Sequence, residues 1–324
     1  MPKVFISRKI GPEAVALLKK HAEVTAREKE GAPGRDELFK HVADADGAMV
    51  WQDKVDGEFL DHAPKLKVIA QRAIGFDLID TEECARRGVR VSNAPRGVDD
   101  STADFAIALL LASARQLVEA VNLTARGGWE KWDVMDNPFL GFDVYGRTLG
   151  IVGLGRIGSK VARRARGFDM KVLYYDIVRS PLEKELGVEY ISDLHKMLGM
   201  ADYISIHVPL NKETRHLIGA REFAAMKPTA ILVNTARGGL VDQKALYEAL
   251  KSRQIHAAAI DVTEVEPIAP DDPLFTLGNI IIAPHIAGGS AMSRLKMDLL
   301  AAENVIAALA GKPMPSCVNC HLIK

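Results

Sequence analysis

The chain has 324 residues, 48% of them hydrophobic, and 42 Lys and Arg balance 42 Asp and Glu at a formal net charge of zero. That length allows about two domains with ample core, and the balanced charge gives no electrostatic basis for binding nucleic acid or an anionic membrane surface. No apolar run approaches the roughly 20 residues of a membrane span, and the start, MPKVFISRKIGPEA, reads as a strand and turn rather than a signal peptide.

Short apolar runs alternate with amphipathic helical stretches from the first residues onward. Strands are predicted at 3–7 (KVFIS), 23–26, 47–51 (GAMVW), 67–71 (KVIAQ) and 89–92, with helices at 12–20, 35–43, 57–63 and 80–87 between them. This alternation implies a parallel sheet covered by helices. The region has no glycine-rich phosphate turn, so it reads as a domain that does not bind the nucleotide. Residues 93–100 (NAPRGVDD) are turn-rich and mark a boundary. Asp100 or Ser101 can cap a long apolar helix over 102–122, whose FAIALLLASA core suits a domain or subunit interface. An irregular loop over 127–143, holding Trp129, Trp132, Pro138 and Phe139, comes next.

Residues 150–176, GIVGLGRIGSKVARRARGFDMKVLYYD, organise the rest. A buried strand leads into Gly153, Gly155 and Gly158 at the spacing G-x-G-x-x-G. A helix and a second strand come after, and that strand ends in Asp176. Gly153 permits the tight turn, Gly155 lets backbone approach a pyrophosphate, and Gly158 lets helix pack on strand. The helix N-terminus offers unpaired N–H groups to phosphates. Asp176 is placed to accept from ribose hydroxyls and to repel a 2′-phosphate, which points to NAD. Arg179, nearby, keeps NADP as the lesser alternative.

Strands then recur at 203–208 (YISIHV), 230–234 (AILVN), 257–262 (AAAIDV) and 280–283 (IIIA). Ligands of open α/β sheets lie at the carboxyl ends of strands. Those ends carry Asp176, His207-Val208-Pro209, Thr235-Ala236-Arg237, Asp261 and His285. A last helix over 291–309 matches the apolar one in length, so the chain is expected to cross back to the first domain. The expected division is 1–100 with 288–324, and 101–287. Cys84, Cys317 and Cys320 are the only cysteines. So low and odd a count fits a reducing cytoplasm. With His321 the last two could form a metal clip, but a zinc site wants four ligands. The tail reads as carrying incidental thiols, and no metal site is expected.

Arg237, Glu266 and His285 are the chemically suggestive charges. Histidine can exchange a proton near neutral pH. A carboxylate beside it favours imidazolium and holds the ring. An arginine fork can hold a substrate carboxylate. Each also has an ordinary structural reading when taken alone.

The chain resembles the D-isomer-specific 2-hydroxyacid dehydrogenase family along nearly its whole length. The matching segments are RAIGFDLID (72–80), the nucleotide unit, HVPLNKETRHLI (207–218), NTARGGLVD (234–242), AIDVTEVEP (259–267) and APHIAG (283–288). The resemblance implies an α/β fold of two domains, a Rossmann-type doubly wound parallel sheet inserted in a flavodoxin-like substrate domain. It implies a catalytic set of Arg237, Glu266 and His285, with Ala73, Ile74 and Gly75 holding the substrate carboxylate opposite Arg237. Cofactor contacts then fall on Gly153, Gly155, Arg156, Ile157, Gly158, Asp176, His207, Pro209, Thr214, Thr235, Ala236 and Asp261. The implied activity is hydride transfer between NAD(H) and a small 2-oxo or D-2-hydroxy acid, by a homodimer. Within the family the run FLGFDVYGRTLGIVGLGRIG (139–158) is most similar to glyoxylate/hydroxypyruvate reductases. A D-3-phosphoglycerate dehydrogenase or D-lactate-type activity is the alternative. An NAD-sensing corepressor-like binding protein is the alternative of another class. Thr263 departs from the phenylalanine usual in the family, and Asp104 from the usual glutamate.

Overall fold

The computed structural model describes residues 1–29, 31–130 and 139–323. The expected loop at Trp132 and Pro138 therefore lies outside the described residues. The chain divides into two compact units, Met1–Val98 with Gly289–Lys324, and Asp99–Gly288.

The first unit runs β1 (Lys3–Ile6), α1 (Pro12–Lys19), β2 (Glu23–Ala26), α2 (Arg35–Val42), β3 (Gly47–Val50), α3 (Gly57–Asp61), β4 (Val68–Gln71), α4 (Thr81–Arg86) and β5 (Arg90–Ser92). Its strands are all parallel, in the order β2-β1-β3-β4-β5, which is the flavodoxin-like order. Covered on both faces, the central strands are apolar without alternation. Val4, Phe5, Ile6, Ala48, Met49, Val50, Val68, Ile69 and Ala70 are all buried. Each large side chain among them contributes about 1.5–3 kcal/mol by leaving water.

The second unit begins with α5 (Asp99–Ala114) and α6 (Leu117–Ala125) and continues with β6 (Thr148–Val152), α7 (Arg156–Ala165), β7 (Lys171–Tyr175), α8 (Glu183–Leu186) and β8 (Glu189–Tyr190). After these come α9 (Leu194–Met200), β9 (Tyr203–Ile206), α10 (Ala220–Ala225), β10 (Ile231–Asn234), α11 (Gln243–Lys251), β11 (Ala257–Ile260) and β12 (Ile280–Ile282). The seven parallel strands are ordered β12-β11-β10-β9-β6-β7-β8. The order reverses between β6 and β9. That reversal makes a Rossmann-type switch point at the carboxyl ends of those two strands.

The single helix expected over 102–122 is instead two, α5 and α6, bent by 66°. Gln116 sits between them in the left-handed region at φ 46°. The Ala114 carbonyl accepts from the Phe142 N–H at 2.8 Å, and Gly141 lies so close that a Cβ there would collide with it. A later segment of the chain thus takes the carbonyl that would continue the helix. No single helix among the described residues is long and apolar enough to cross a membrane.

The chain returns to the first unit through α12 (Ala291–Leu309), whose Ala301, Ala302 and Val305 pack on one face of that unit's sheet with Ile6 and Met49. Its tail is not a loose end with incidental thiols: Cys317 and Cys320 are disulfide-bonded. The backbone geometry allows this, with the two Cα atoms 5.7 Å apart. The pairing removes the cysteine count as an argument for a reducing compartment. Val318 N–H donates to the Val91 carbonyl. The fully buried Asn319 accepts from Val91 N–H at 2.8 Å and donates to the Val89 carbonyl at 2.9 Å.

Candidate active site

The glycine turn lies just after β6, at the switch point. Gly153 has φ +96°, and a side chain there would strike the His207 carbonyl. A Cβ on Gly158 would collide with the Gly153 carbonyl, so only glycine lets α7 start this close to the strand. Gly155, the N-cap of α7, faces open space and supplies no side-chain cap. The first-turn N–H groups of Arg156, Ile157 and Gly158 are therefore left for an anion. The Arg156 guanidinium itself turns to Asp99, 3.3 Å away. Asp176, at the end of β7, accepts from Leu154 N–H at 2.9 Å and so also braces the turn. Arg179 is held by Glu183 through two hydrogen bonds, of 2.6 and 2.8 Å.

The next strand ends carry unsatisfied polar atoms. His207 Nε2 is bonded to Ser205 Oγ at 2.8 Å, while its buried Nδ1 has no partner among the described residues. Burial pushes this imidazole down to about 3, so it is neutral. The buried Thr235 Oγ also lacks a partner among the described residues. Thr214 is already committed: its hydroxyl donates to the Pro209 carbonyl at 2.7 Å and closes that turn. Ala236 N–H donates to Asn234 at 3.0 Å. A glycine cradle, a bare helix N-terminus, a strand-end carboxylate and orphaned buried polar atoms fit a bound dinucleotide.

The charged set hangs from three neighbouring strands, β10, β11 and β12. Arg237 comes after β10 in extended conformation, φ −146°, and its Nη1 donates to the Ala236 carbonyl at 2.7 Å. A Cβ on Gly238 would overlap the Thr263 carbonyl and the Glu264 nitrogen. The segment after Arg237 is thereby pressed against the one that bears Glu266. His285 Nδ1 and Glu266 Oε2 are 2.6 Å apart. The bond to Glu266 holds the imidazole above its ordinary range, against the pull of burial. Burial would raise the Glu266 carboxyl, but the bond and charge of His285, with the Thr263 N–H at 3.1 Å, hold it below. His285 Nε2 has no hydrogen-bond partner among the described residues.

Asp261 has a larger part than a strand-end position suggests. It is buried, and its two oxygens accept from Ile286 N–H at 2.8 Å and Ala287 N–H at 2.7 Å. Its own carbonyl accepts from His285 N–H at 2.9 Å. These three bonds hold His285 at φ 55°, a conformation costly for a residue with a Cβ. Thr263, the departure from the family pattern, closes the turn to Glu266 by donating its hydroxyl to the Val265 carbonyl at 2.8 Å. Neither role has a signal in sequence beyond the residue's nearness to Glu266.

In the first unit, the turn Ala73-Ile74-Gly75 lies beyond the end of β4. All three carbonyls are engaged, by Ala94 N–H, Asn93 Nδ2 and Gln71 Nε2 at 2.9, 2.7 and 3.0 Å. None of the three N–H groups donates to a partner among the described residues. The turn is thus fixed through its carbonyls, and its N–H groups are left for an acceptor such as a carboxylate.

Residues 107–287 match the family model described as "D-isomer specific 2-hydroxyacid dehydrogenase, NAD binding domain". Similarity extends over the whole chain. It is 48% identical over 327 residues to a glyoxylate reductase of Korarchaeum cryptofilum, covering 100% of this chain and 97% of the relative. A solved Thermus thermophilus structure superposes with TM-score 0.91 at 40% identity, covering 98% and 99% of the two chains. An NADPH-dependent glyoxylate/hydroxypyruvate reductase of Sinorhizobium meliloti does so with TM-score 0.84 at 30% identity, covering 98% of each. The chain belongs to the D-isomer-specific 2-hydroxyacid dehydrogenase family. It is accordingly an NAD(P)-dependent oxidoreductase with a dinucleotide-binding Rossmann unit.

Proposed function

We propose that this protein reduces glyoxylate, and related small 2-oxo acids, with NADH. The observation that carries the chemistry is the 2.6 Å hydrogen bond between His285 and Glu266. It occurs in a chain 43–48% identical to glyoxylate reductases. The glycine turn, the first turn of α7, Asp176, His207, Thr235 and Ala236 hold the cofactor. When bound, NADH supplies the hydride for the C2 carbonyl.

His285 is the acid. With Nδ1 held by Glu266, its Nε2–H gives a proton to the carbonyl oxygen as negative charge develops there. Glu266 keeps the ring charged and oriented. Arg237 attracts the substrate carboxylate and polarises the carbonyl. In the first unit, the turn Ala73-Ile74-Gly75 has N–H groups that suit a carboxylate. Asp261 positions His285 rather than reacting. NADH is favoured over NADPH because Asp176 opposes a 2′-phosphate and the nearby Arg179 is taken by Glu183.

A homodimer is the proposed assembly. Leu117, Val118, Val121 and Leu123 of α6 are exposed, and that helix buries no residue. A cytoplasmic setting is supported by the soluble cofactor and substrate. The test is NADH oxidation with glyoxylate by the wild type and His285→Ala. The variant should lose roughly 10²–10⁴-fold in turnover while NADH still binds by fluorescence titration. Near-normal turnover would rule out His285 as the acid.

A further inference from the structure

The first unit holds an arginine that pairs with no acid among the described residues. Trp51 stands at the carboxyl end of β3, and the Arg294 guanidinium lies over its ring, 3.9 Å from the centroid. Arg72, at the neighbouring end of β4, approaches the same ring at 5.5 Å. The two arginines differ in their partners. Arg72 and Asp298 side chains are both 4% exposed, and Arg72 Nε donates to Asp298 Oδ1 at 2.7 Å. Asp298 spends its other oxygen on Gly11 N–H at 2.9 Å. The second nearby acid, Asp53, accepts from Ser7 Oγ and from Trp51 N–H. Both carboxylates are occupied. The Arg294 side chain makes no hydrogen bond or ion pair among the described residues.

Its position is unfavourable for a structural cation. It lies in the first turns of α12, where the helix dipole opposes positive charge. It is half-buried, and both burial and Arg72 push its guanidinium down from its ordinary value. The guanidinium carbon lies over the indole ring, and its N–H groups have no partner among the described residues. The adjoining strand end is the turn Ala73-Ile74-Gly75, whose free N–H groups suit a carboxylate.

We propose that Arg294, seated over Trp51, binds an acceptor oxygen on C3 of a 2-oxo acid whose carboxylate rests on the turn Ala73-Ile74-Gly75. Arg294 is then the residue that favours a C3-oxygenated acid over one ending in hydrogen or methyl. This rests on the proposed 2-oxo acid reduction and adds the determinant of substrate length and polarity. Stacking on Trp51 is the pre-organising part. An arginine held against a ring loses less freedom when it forms a bond than one in solvent does.

The test is a three-substrate comparison with NADH: glyoxylate, pyruvate and hydroxypyruvate, which differ only in the group attached to the carbonyl carbon opposite the carboxylate. The wild type, Arg294→Met and Arg294→Lys are measured, with thermal melts to show that each is folded. In Arg294→Met the kcat/KM ratio of hydroxypyruvate to pyruvate should fall by about 10- to 100-fold, the effect of losing one charge-assisted hydrogen bond. The loss should lie mainly in KM. Arg294→Lys, which keeps charge but not the fork, should recover part of the ratio. Equal losses on all three acids would mean that Arg294 serves only to pack Trp51, and an unchanged ratio would mean that it meets no substrate; either overturns the proposal. A wild type that reduces none of the three overturns the proposed function itself, and the inference with it.

Discussion

Glu266 decides the pH at which His285 gives up its proton. Because the folded-state imidazole titrates above its ordinary value, the protonated acid persists above pH of about 6.5. Glyoxylate reduction should be level at low pH and fall as pH rises through that raised value, whereas oxidation of the hydroxy acid should rise there. Glu266→Gln removes the charge that holds the proton, so the falling limb of reduction should move to lower pH. A pH profile of kcat/KM checks this, and an unmoved limb would show that Glu266 does not set the titration. At this scale the sequence carries Arg237, Glu266 and His285, because charged side chains at strand ends leave a visible pattern. It does not carry the clamp from Asp261 to Ile286 and Ala287. Backbone N–H groups have no sequence signature, and their partner lies 25 and 26 residues away.

Among the elements, the connections after β10 and β11 are locked by the absence of a side chain. Gly238→Ala would drive a Cβ into the Thr263 carbonyl, where neither backbone can yield without moving Arg237 or Glu266. The variant should fold less stably and lose turnover more than it loses NADH affinity. Melting curves and a cofactor titration would separate the two effects, and a fully active, equally stable protein would contradict the packing. Strands are legible in the sequence because buried parallel strands are short and apolar throughout. The break at Gln116 is not. Ala114-Arg115-Gln116 contains no glycine or proline, and the bend is imposed by Gly141 and Phe142 more than twenty residues later.

At the scale of the whole molecule, strict alternation of strands and helices announces two parallel α/β sheets, and the sheet orders belong to that class. The tail is the exception. Cys317 and Cys320 cannot be paired from spacing alone, and Asn319 offers no hint that it is buried. That side chain links the C-terminus to β5 and to the Thr81 carbonyl at the head of α4. Asn319→Ala leaves buried backbone groups unpaired, at a cost of about 1–3 kcal/mol. Tm should fall by a few degrees, roughly 2–4 °C per kcal/mol for a domain-sized unit, with glyoxylate turnover at 25 °C little changed. An unaltered melt would show that the tail is not an anchor.

That three neighbouring parallel strands carry the charged set has a consequence for the speed of the reaction. Arg237, Glu266 and His285 lie on the segments that follow β10, β11 and β12, and the hydrogen-bond ladders of those strands fix where the segments start. On the proposed mechanism, the groups that meet the developing alkoxide start from the end of a hydrogen-bonded sheet. In water the solvent would have to reorient around that charge at each turnover; here little reorganisation is left to do. Such a site gains rate from stiffness, so substitutions that soften the ladder should raise the activation barrier even where every charged side chain is retained.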